Sequence, residues 1–208
     1  MNRRPTLVIA TTNAGKVGEF AELFRELPIT LQSLADFPGA PEVPEDGPTY
    51  AANAMHKALA LARWSCCPAL ADDSGLEVDA LGGEPGVHSA RYAGPVQDST
   101  LNIAKLLAAL RGVPAAQRTA RFRCAIAVAC PNGTTLTAEG ACEGVILDTA
   151  RGSGGFGYDP VFLYPPLGQT FGEIAPAIKN RLSHRARACA FLVPQLLEFL
   201  NGWRCSSE

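Results

Sequence analysis

Two adjacent acids, Asp72 and Asp73, follow directly on the apolar stretch Ala69-Leu70-Ala71. Carboxylates this close repel one another unless a cation sits between them or one carries a proton. Glu45-Asp46 forms a second acidic pair inside a Pro-rich loop. Mg2+ takes hard oxygen ligands, keeps several waters and binds substrate phosphates. Glu45, Asp72 and Asp73 would suit that role, or one of them could take a proton from an attacking water. Solvated loop acids are the plainer reading for Glu45 and Asp46. For Asp72 and Asp73 the apolar run before them argues against it.

Cations and small polar residues complete the set. Thr11-Thr12-Asn13-Ala14-Gly15-Lys16 lies where a strand hands over to a helix. Backbone N–H groups and the positive end of the helix dipole favour an anion there. The segment is not a Walker A loop, because the first Gly is missing and Val17 replaces the metal-binding Ser or Thr. A turn followed by a solvated Lys16 is the bland alternative. Thr49, Asn53 and Lys57 are spaced i, i+4, i+8, a polar stripe that could face phosphates or solvent. The Gly-rich loop Gly152 to Asp159 holds Phe156, Gly157 and Tyr158. Glycine lets backbone approach a ligand closely, and an aromatic can stack on a base. Phe156 is the candidate stacker, whereas Tyr158 could equally plug the core. Lys179-Asn180-Arg181 and His184-Arg185 cluster near the start of the last helix, where an anionic ligand or carboxylate partner is expected. A solvated basic turn is the alternative.

These residues need elements to hold them. Thr6 to Ala10 reads as a strand, and Val17, Phe20, Leu23, Phe24 and Leu27 as a helix stopped by Pro28. A strand at Ile29 to Ser33 follows, so the chain opens in the α/β manner. Thr49 caps a helix running to about Ser65. Pro68 to Ala71 and Leu76 to Val78 read as two short strands flanking Asp72 to Gly75. Asp98 caps a helix with an apolar stripe of Leu101, Ala104, Leu107 and Ala108. Two longer strands, joined at Pro131-Asn132-Gly133, form a hairpin. Thr170 to Glu173 has the pattern of a capping box for a short helix. Ser183 caps the last helix, kinked at Pro194, with Phe191, Leu192, Leu196 and Leu200 as its core face.

The chain has 208 residues, 47% hydrophobic and 18% charged, with a formal net charge of −2. That length can bury one core or a core with a second lobe. The charge gives no bulk affinity for nucleic acid or an anionic membrane, so any phosphate binding must come from local cations. No apolar run reaches the length of a membrane span, and no signal peptide is apparent. A cytoplasmic location is therefore expected. The seven Cys include no C-x-x-C pair, which fits free or buried thiols in a reducing compartment rather than zinc ligands.

In combination the motifs resemble the noncanonical purine nucleoside triphosphate pyrophosphatases, the inosine/xanthosine triphosphatase or Ham1-like family, in its bacterial branch. The matching stretches are Thr12-Asn13 with Lys16 and Glu19-Phe20, Asn53-Ala54 with Lys57-Ala58, and Ala71-Asp72-Asp73-Ser74-Gly75-Leu76. Pro85-Gly86-Val87 with Ser89-Ala90-Arg91-Tyr92, Gly154 to Pro160 and Ser183-His184-Arg185 follow in family order. The resemblance implies a single 1–208 domain of two lobes, an elongated α/β fold around a mixed, twisted sheet with flanking helices, and an active-site cleft between the lobes. It implies Mg2+-dependent hydrolysis of ITP, dITP and XTP to monophosphate and pyrophosphate, by a homodimer acting on a small-molecule nucleotide. Carried over by position, Asp73 is the general base or a metal-bound acid, and Glu45 and Asp72 help hold the metal. Thr11, Thr12, Asn13, Lys16, Lys57 and Ser74 would contact phosphates or sugar. Phe156, Gly157, Tyr158, Asp159, Lys179, His184 and Arg185 would frame the base. Two positions depart from the family. Ala52 replaces a frequent Glu, whose role is lost or taken by another residue such as Glu45. Ala186 replaces a Gly, which would tighten the pocket. The rival readings are a Maf-like pyrophosphatase of other base preference, a phosphomonoesterase, and a catalytically silent nucleotide binder.

Overall fold

The structure is a computed structural model and describes residues 4–205; the outermost positions of the expected 1–208 domain lie outside the described residues. Its elements run β1 (Thr6–Ile9), α1 (Ala14–Leu23), β2 (Thr30–Ser33), α2 (Tyr50–Ser65), β3 (Ala69–Val78), α3 (Ser99–Ala109), β4 (Thr119–Ala129), β5 (Thr135–Ile146), β6 (Phe162–Tyr164), β7 (Gln169–Thr170), α4 (Pro176–Leu182) and α5 (His184–Cys205). One seven-stranded sheet has the order β2-β1-β3-β4-β5-β6-β7. β1 is parallel to β2 and β3, with Val8 opposite Ala69 and Ile9 opposite Leu70. β6 is antiparallel to β5 and β7. The sheet is mixed, as expected. Its parallel pairs are those joined by helical crossovers, which parallel strands require.

The chain divides into two compact units: Met1–Asp73 with Cys124–Gly140 and Ala186–Glu208, and Ser74–Arg123 with Ala141–Arg185. In the first, strand alternation feeds two cores. Leu7, Ile9 and Leu70 pack with Phe20 and Phe24 of α1 and Leu192, Leu196 and Leu200 of α5. Val8, Ala69 and Ala71 pack with Ala54, Ala58, Leu61 and Ala62 of α2. Both strand faces are thus covered by helices, which explains why β1 is an unbroken apolar run. In the second unit, Leu76 and Val78 of β3 pack with Leu106 and Leu110 beside an aromatic cluster. In that cluster the Phe162 ring lies 4.5 Å from Phe122 and 5.0 Å from Phe171.

The caps at Thr49 and Asp98 are as expected: Thr49 accepts from the Ala52 N–H, and Asp98 from the Thr100 and Leu101 N–H groups. The hairpin at Pro131 to Gly133 closes with the Cys130 N–H donating to the Thr134 carbonyl.

Several expectations are corrected. Asp72 and Asp73 do not sit in a turn between two short strands; they lie inside the continuous β3. α1 ends at Leu23, well before Pro28. The buried face of α3 is set by Asn102 and Leu106, while Leu101 is 56% exposed. Phe191 is 67% exposed, and Ala188 and Cys189 take its place in the core of α5. Thr170 and Glu173 do exchange capping-box bonds, at 2.8 and 3.2 Å. They close a turn, however, and the helix that follows starts only at Pro176. Finally, β6 and β7 were not anticipated, being three and two residues long.

Candidate active site

β3 explains how two adjacent acids coexist. Successive side chains of a strand point to opposite faces, so Asp72 shares the face of Leu70 and Asp73 the face of Ala69 and Ala71. Asp72 Oδ2 receives the Lys16 Nζ at 3.0 Å, with Cys124 Sγ at 4.0 Å. Asp73 Oδ2 accepts from Asn53 Nδ2 of α2 at 2.8 Å. Each acid has its own polar partner, and the strand sends the two carboxylates to opposite faces.

Lys57, one helical turn beyond Asn53, is also turned inward. Its ammonium is ion-paired with Glu45 and donates to the Asp72 carbonyl. The stripe of Thr49, Asn53 and Lys57 therefore does not face solvent as a whole: Asn53 is fully buried, Lys57 mostly so, and only the cap Thr49 is exposed. Burial raises the Asp73 carboxyl above the ordinary carboxylate range; the Asn53 hydrogen bond and the Lys57 charge oppose the rise, while Glu45 adds to it and Lys16 works against it. At the start of α1, Asn13 is the N-cap, accepting from the Lys16 N–H at 3.1 Å, and Thr11 Oγ1 accepts from the Asn13 N–H. Thr12 and Asn13 are exposed.

The second unit carries the aromatic and cationic group. Asp159, buried, accepts from the Phe156 N–H at 2.8 Å and from Lys179 Nζ at 2.6 Å. Lys179 Nζ lies 4.5 Å from the Phe156 ring centre, and the Arg185 guanidinium carbon 6.0 Å from it, so both cations lie within about the range of a cation–π contact. Arg185 is fully buried and donates to Ser74 Oγ at 3.1 Å. The His184 ring stacks on Phe122 at 4.9 Å. This is not a solvated basic turn, although Arg181 is exposed. Tyr158 is buried and donates to the Ser89 carbonyl at 2.8 Å; burial, then the neighbouring Tyr92, pushes its phenol up. Tyr158 is thus a core plug, and Phe156 is the aromatic left half-exposed beside the cations.

The profile of the Ham1 family matches residues 7–195. The chain belongs to the Ham1 family. This Ham1 chain is similar to a dITP/XTP pyrophosphatase of Geobacillus kaustophilus, 56% identical over 196 residues that cover 94% of this chain and 96% of the relative. It is 56% identical to a second dITP/XTP pyrophosphatase, from Desulforamulus reducens, with 94% and 95% covered. Among solved structures it is similar to a HAM1 protein from Coxiella burnetii, with a TM-score of 0.85, 40% identity, and 93% and 99% of the two chains covered.

Within the Ham1 chain, the first unit brings together Lys16, Glu45, Lys57, Asp72 and Asp73, and the second Ser74, Phe156, Asp159, Lys179 and Arg185. Gly157 lies in the loop between Phe156 and Tyr158, in the left-handed region. Two contributors went unassigned in the sequence. Asn53 stands in the polar stripe and in the Asn53-Ala54 motif, and its signal is an amide inside a helix directly beside the buried Ala54. Ser89 holds the Leu76 N–H at 2.8 Å and donates to the Gly86 carbonyl at 2.6 Å, fixing the backbone just after Ser74-Gly75. In the sequence Ser89 stands only as part of the stretch Ser89-Ala90-Arg91-Tyr92.

Proposed function

We propose that this chain hydrolyses noncanonical purine nucleoside triphosphates (dITP, ITP and XTP) to the monophosphate and pyrophosphate, removing them from the nucleotide pool. The observation that carries the proposal is Asp73, a buried carboxylate with raised proton affinity, fixed by Asn53 and adjoined by Lys57 and Glu45. The 56% identity to dITP/XTP pyrophosphatases supports the choice of substrate.

Mg2+ is the expected metal. Among the described residues no three His, Cys, Asp or Glu side chains form a ready metal cage. Mg2+ needs only one or two carboxylates when substrate phosphates and waters fill the other positions. The donors present are hard oxygens, and Glu45 repels the Asp73 carboxylate, a repulsion that a divalent cation removes. Glu45 and Asp73 therefore fit Mg2+, which when bound would neutralise charge on the phosphates, while Asp72, on the other face of β3, holds Lys16.

This chain's own residues do the rest. Asp73 accepts a proton from the water that attacks the α-phosphorus. Lys16 and Lys57 exchange their carboxylate partners for phosphate oxygens and offset charge developing on the leaving pyrophosphate. The half-buried Thr11, the exposed Thr12 and Asn13 and the N–H groups at the start of α1 receive the anionic chain. Phe156 stacks on the base. Arg185 and His184 donate toward a 6-keto oxygen, which hypoxanthine and xanthine present and adenine does not. A donor left facing an amine rejects the wrong base by roughly 10⁴-fold. A cytoplasmic homodimer belongs to the same reading, supported by the family resemblance.

The test is Asp73→Asn with product analysis. Nucleotide binding retained and turnover lost, with the parent releasing pyrophosphate from ITP, supports the proposal. Orthophosphate alone points to a phosphatase, and a parent that binds without turnover is a silent binder.

A further inference from the structure

We infer that Asn53 is a two-ended positioning residue that locks the Glu45–Gly47 loop to the catalytic carboxylate, so that the aim of Asp73 and the placement of Glu45 are set by one side chain. The inference rests on the functional reading above, and it begins from the amide itself. Asn53 has two hydrogen-bonding ends, and both are used. Nδ2 donates to Asp73 Oδ2 at 2.8 Å, and Oδ1 accepts from the Gly47 N–H at 2.8 Å. The residue is fully buried on α2, and a helical backbone flanked by the buried Ala54 and by Ala58 leaves the amide little freedom to turn.

The loop end is built for close approach. A Cβ on Gly47 would lie 2.6 Å from Asn53 Oδ1 and 3.2 Å from the Ala52 Cβ. Glycine is therefore required there by space, since the Gly47 φ is not one that other residues avoid. Glu45 lies two residues before this anchor and is ion-paired with Lys57, which follows Asn53 by one turn on the same helix. A loop of Pro and acids, which has no regular structure of its own from Ala40 to Pro48, is thus pinned at Glu45 and at Gly47 to adjacent turns of α2. The polarity of the amide also matters. Because the Gly47 N–H claims Oδ1, the NH2 group is forced toward Asp73, which is presented with a donor at Oδ2. The amide cannot flip without losing both bonds.

Two substitutions separate the ends. Asn53→Asp keeps an acceptor for the Gly47 N–H but replaces the donor to Asp73 by a second carboxylate. Gly47→Ala leaves the Asp73 bond and drives the loop off Asn53. For Asn53→Asp, kcat toward ITP should fall on the order of 10–100-fold, the usual cost of losing a residue that orients a reacting group, with KM within about threefold. For Gly47→Ala the half-saturating Mg2+ concentration should rise about tenfold, with kcat at saturating Mg2+ within about threefold of the parent. Independently of activity, the Gly47 amide proton of the metal-free protein should exchange at least about tenfold faster in Asn53→Leu than in the parent. Equal effects of both variants on kcat, near-parental kcat in Asn53→Asp, or unchanged Gly47 exchange in Asn53→Leu would each overturn the inference. If the parent fails to hydrolyse ITP, the functional reading falls, and the exchange experiment alone decides whether Asn53 holds the loop.

Discussion

The buried pair of Lys179 and Asp159 sets a quantitative demand on the second unit. Both side chains are almost fully removed from solvent, and Nζ lies 2.6 Å from Oδ2. At an effective dielectric of about 20, two unit charges at that separation attract by roughly 6 kcal/mol, and most of that attraction offsets their desolvation. Removing one partner leaves the other buried and uncompensated, which costs about 3–5 kcal/mol. Asp159 also holds the Phe156 N–H, so its loss loosens the Gly-rich loop as well. Lys179→Met should therefore lower the melting temperature by roughly 10 °C, at about 2–4 °C per kcal/mol for a chain of this size. Asp159→Asn should lower it by a similar amount. The double variant removes both charges and should recover to within about 2 kcal/mol of the parent, because a buried ion pair replaced by neutral groups of like shape is near neutral. Urea unfolding of the four proteins, followed by far-UV circular dichroism, measures the coupling. Additive effects, with the double variant the least stable, would refute the claim that the two charges hold each other in place.

Further outcomes follow from other contacts. In the metal-free protein the Asp73 carboxyl should titrate above the usual carboxylate range, because burial raises its pKa; a carboxyl-carbon NMR titration that gives the value of an exposed Asp would contradict this. Arg121 and Thr119 hold the Asp79 carboxyl below its ordinary value. Its folded pKa is lower than its unfolded one, so its contribution to stability is present above the unfolded value and lost as pH falls through the folded value. Asp79→Asn should accordingly lower the urea midpoint at neutral pH, and its difference from the parent should shrink as pH falls through the folded pKa. A Cβ at Gly144 would press on the Leu163 carbonyl at 2.6 Å and on the Phe162 ring. Gly144→Val should cost about 1–3 kcal/mol as an overpacked core position, measured in the same unfolding assay.

Much of this molecule could be read from residue order. The opening strand, helix and strand, the caps at Thr49 and Asp98, and the 131–133 turn follow from local periodicity and side-chain-to-backbone bonds, which act over a few residues. What escaped was decided by distant partners. Asp72 to Gly75 has the composition of a turn, yet β3 runs straight through it, because Lys16, Asn53 and Arg185 supply bonds to the polar side chains from 16, 53 and 185 in the chain. Phe191 and Leu101 have the right spacing for a core face and lie outside it, since helical periodicity fixes a stripe only to within a residue or two of rotation. In the candidate site, the individual acids and cations were visible, but the separation of Asp72 from Asp73 onto opposite faces was not, because it depends on β3 being unbroken. The burial of Tyr158, with its hydroxyl on the Ser89 carbonyl, depends on a backbone partner 69 residues away.

The most direct test of the account is pyrophosphate release from ITP, XTP, GTP and ATP measured in parallel, with and without Mg2+. Strong Mg2+-dependent release from ITP and XTP and little from ATP is expected, with GTP showing whether a 6-keto oxygen alone is enough. Equal release from ATP and ITP would contradict it, because the buried donors at Arg185 and His184 would then have no part in choosing the base.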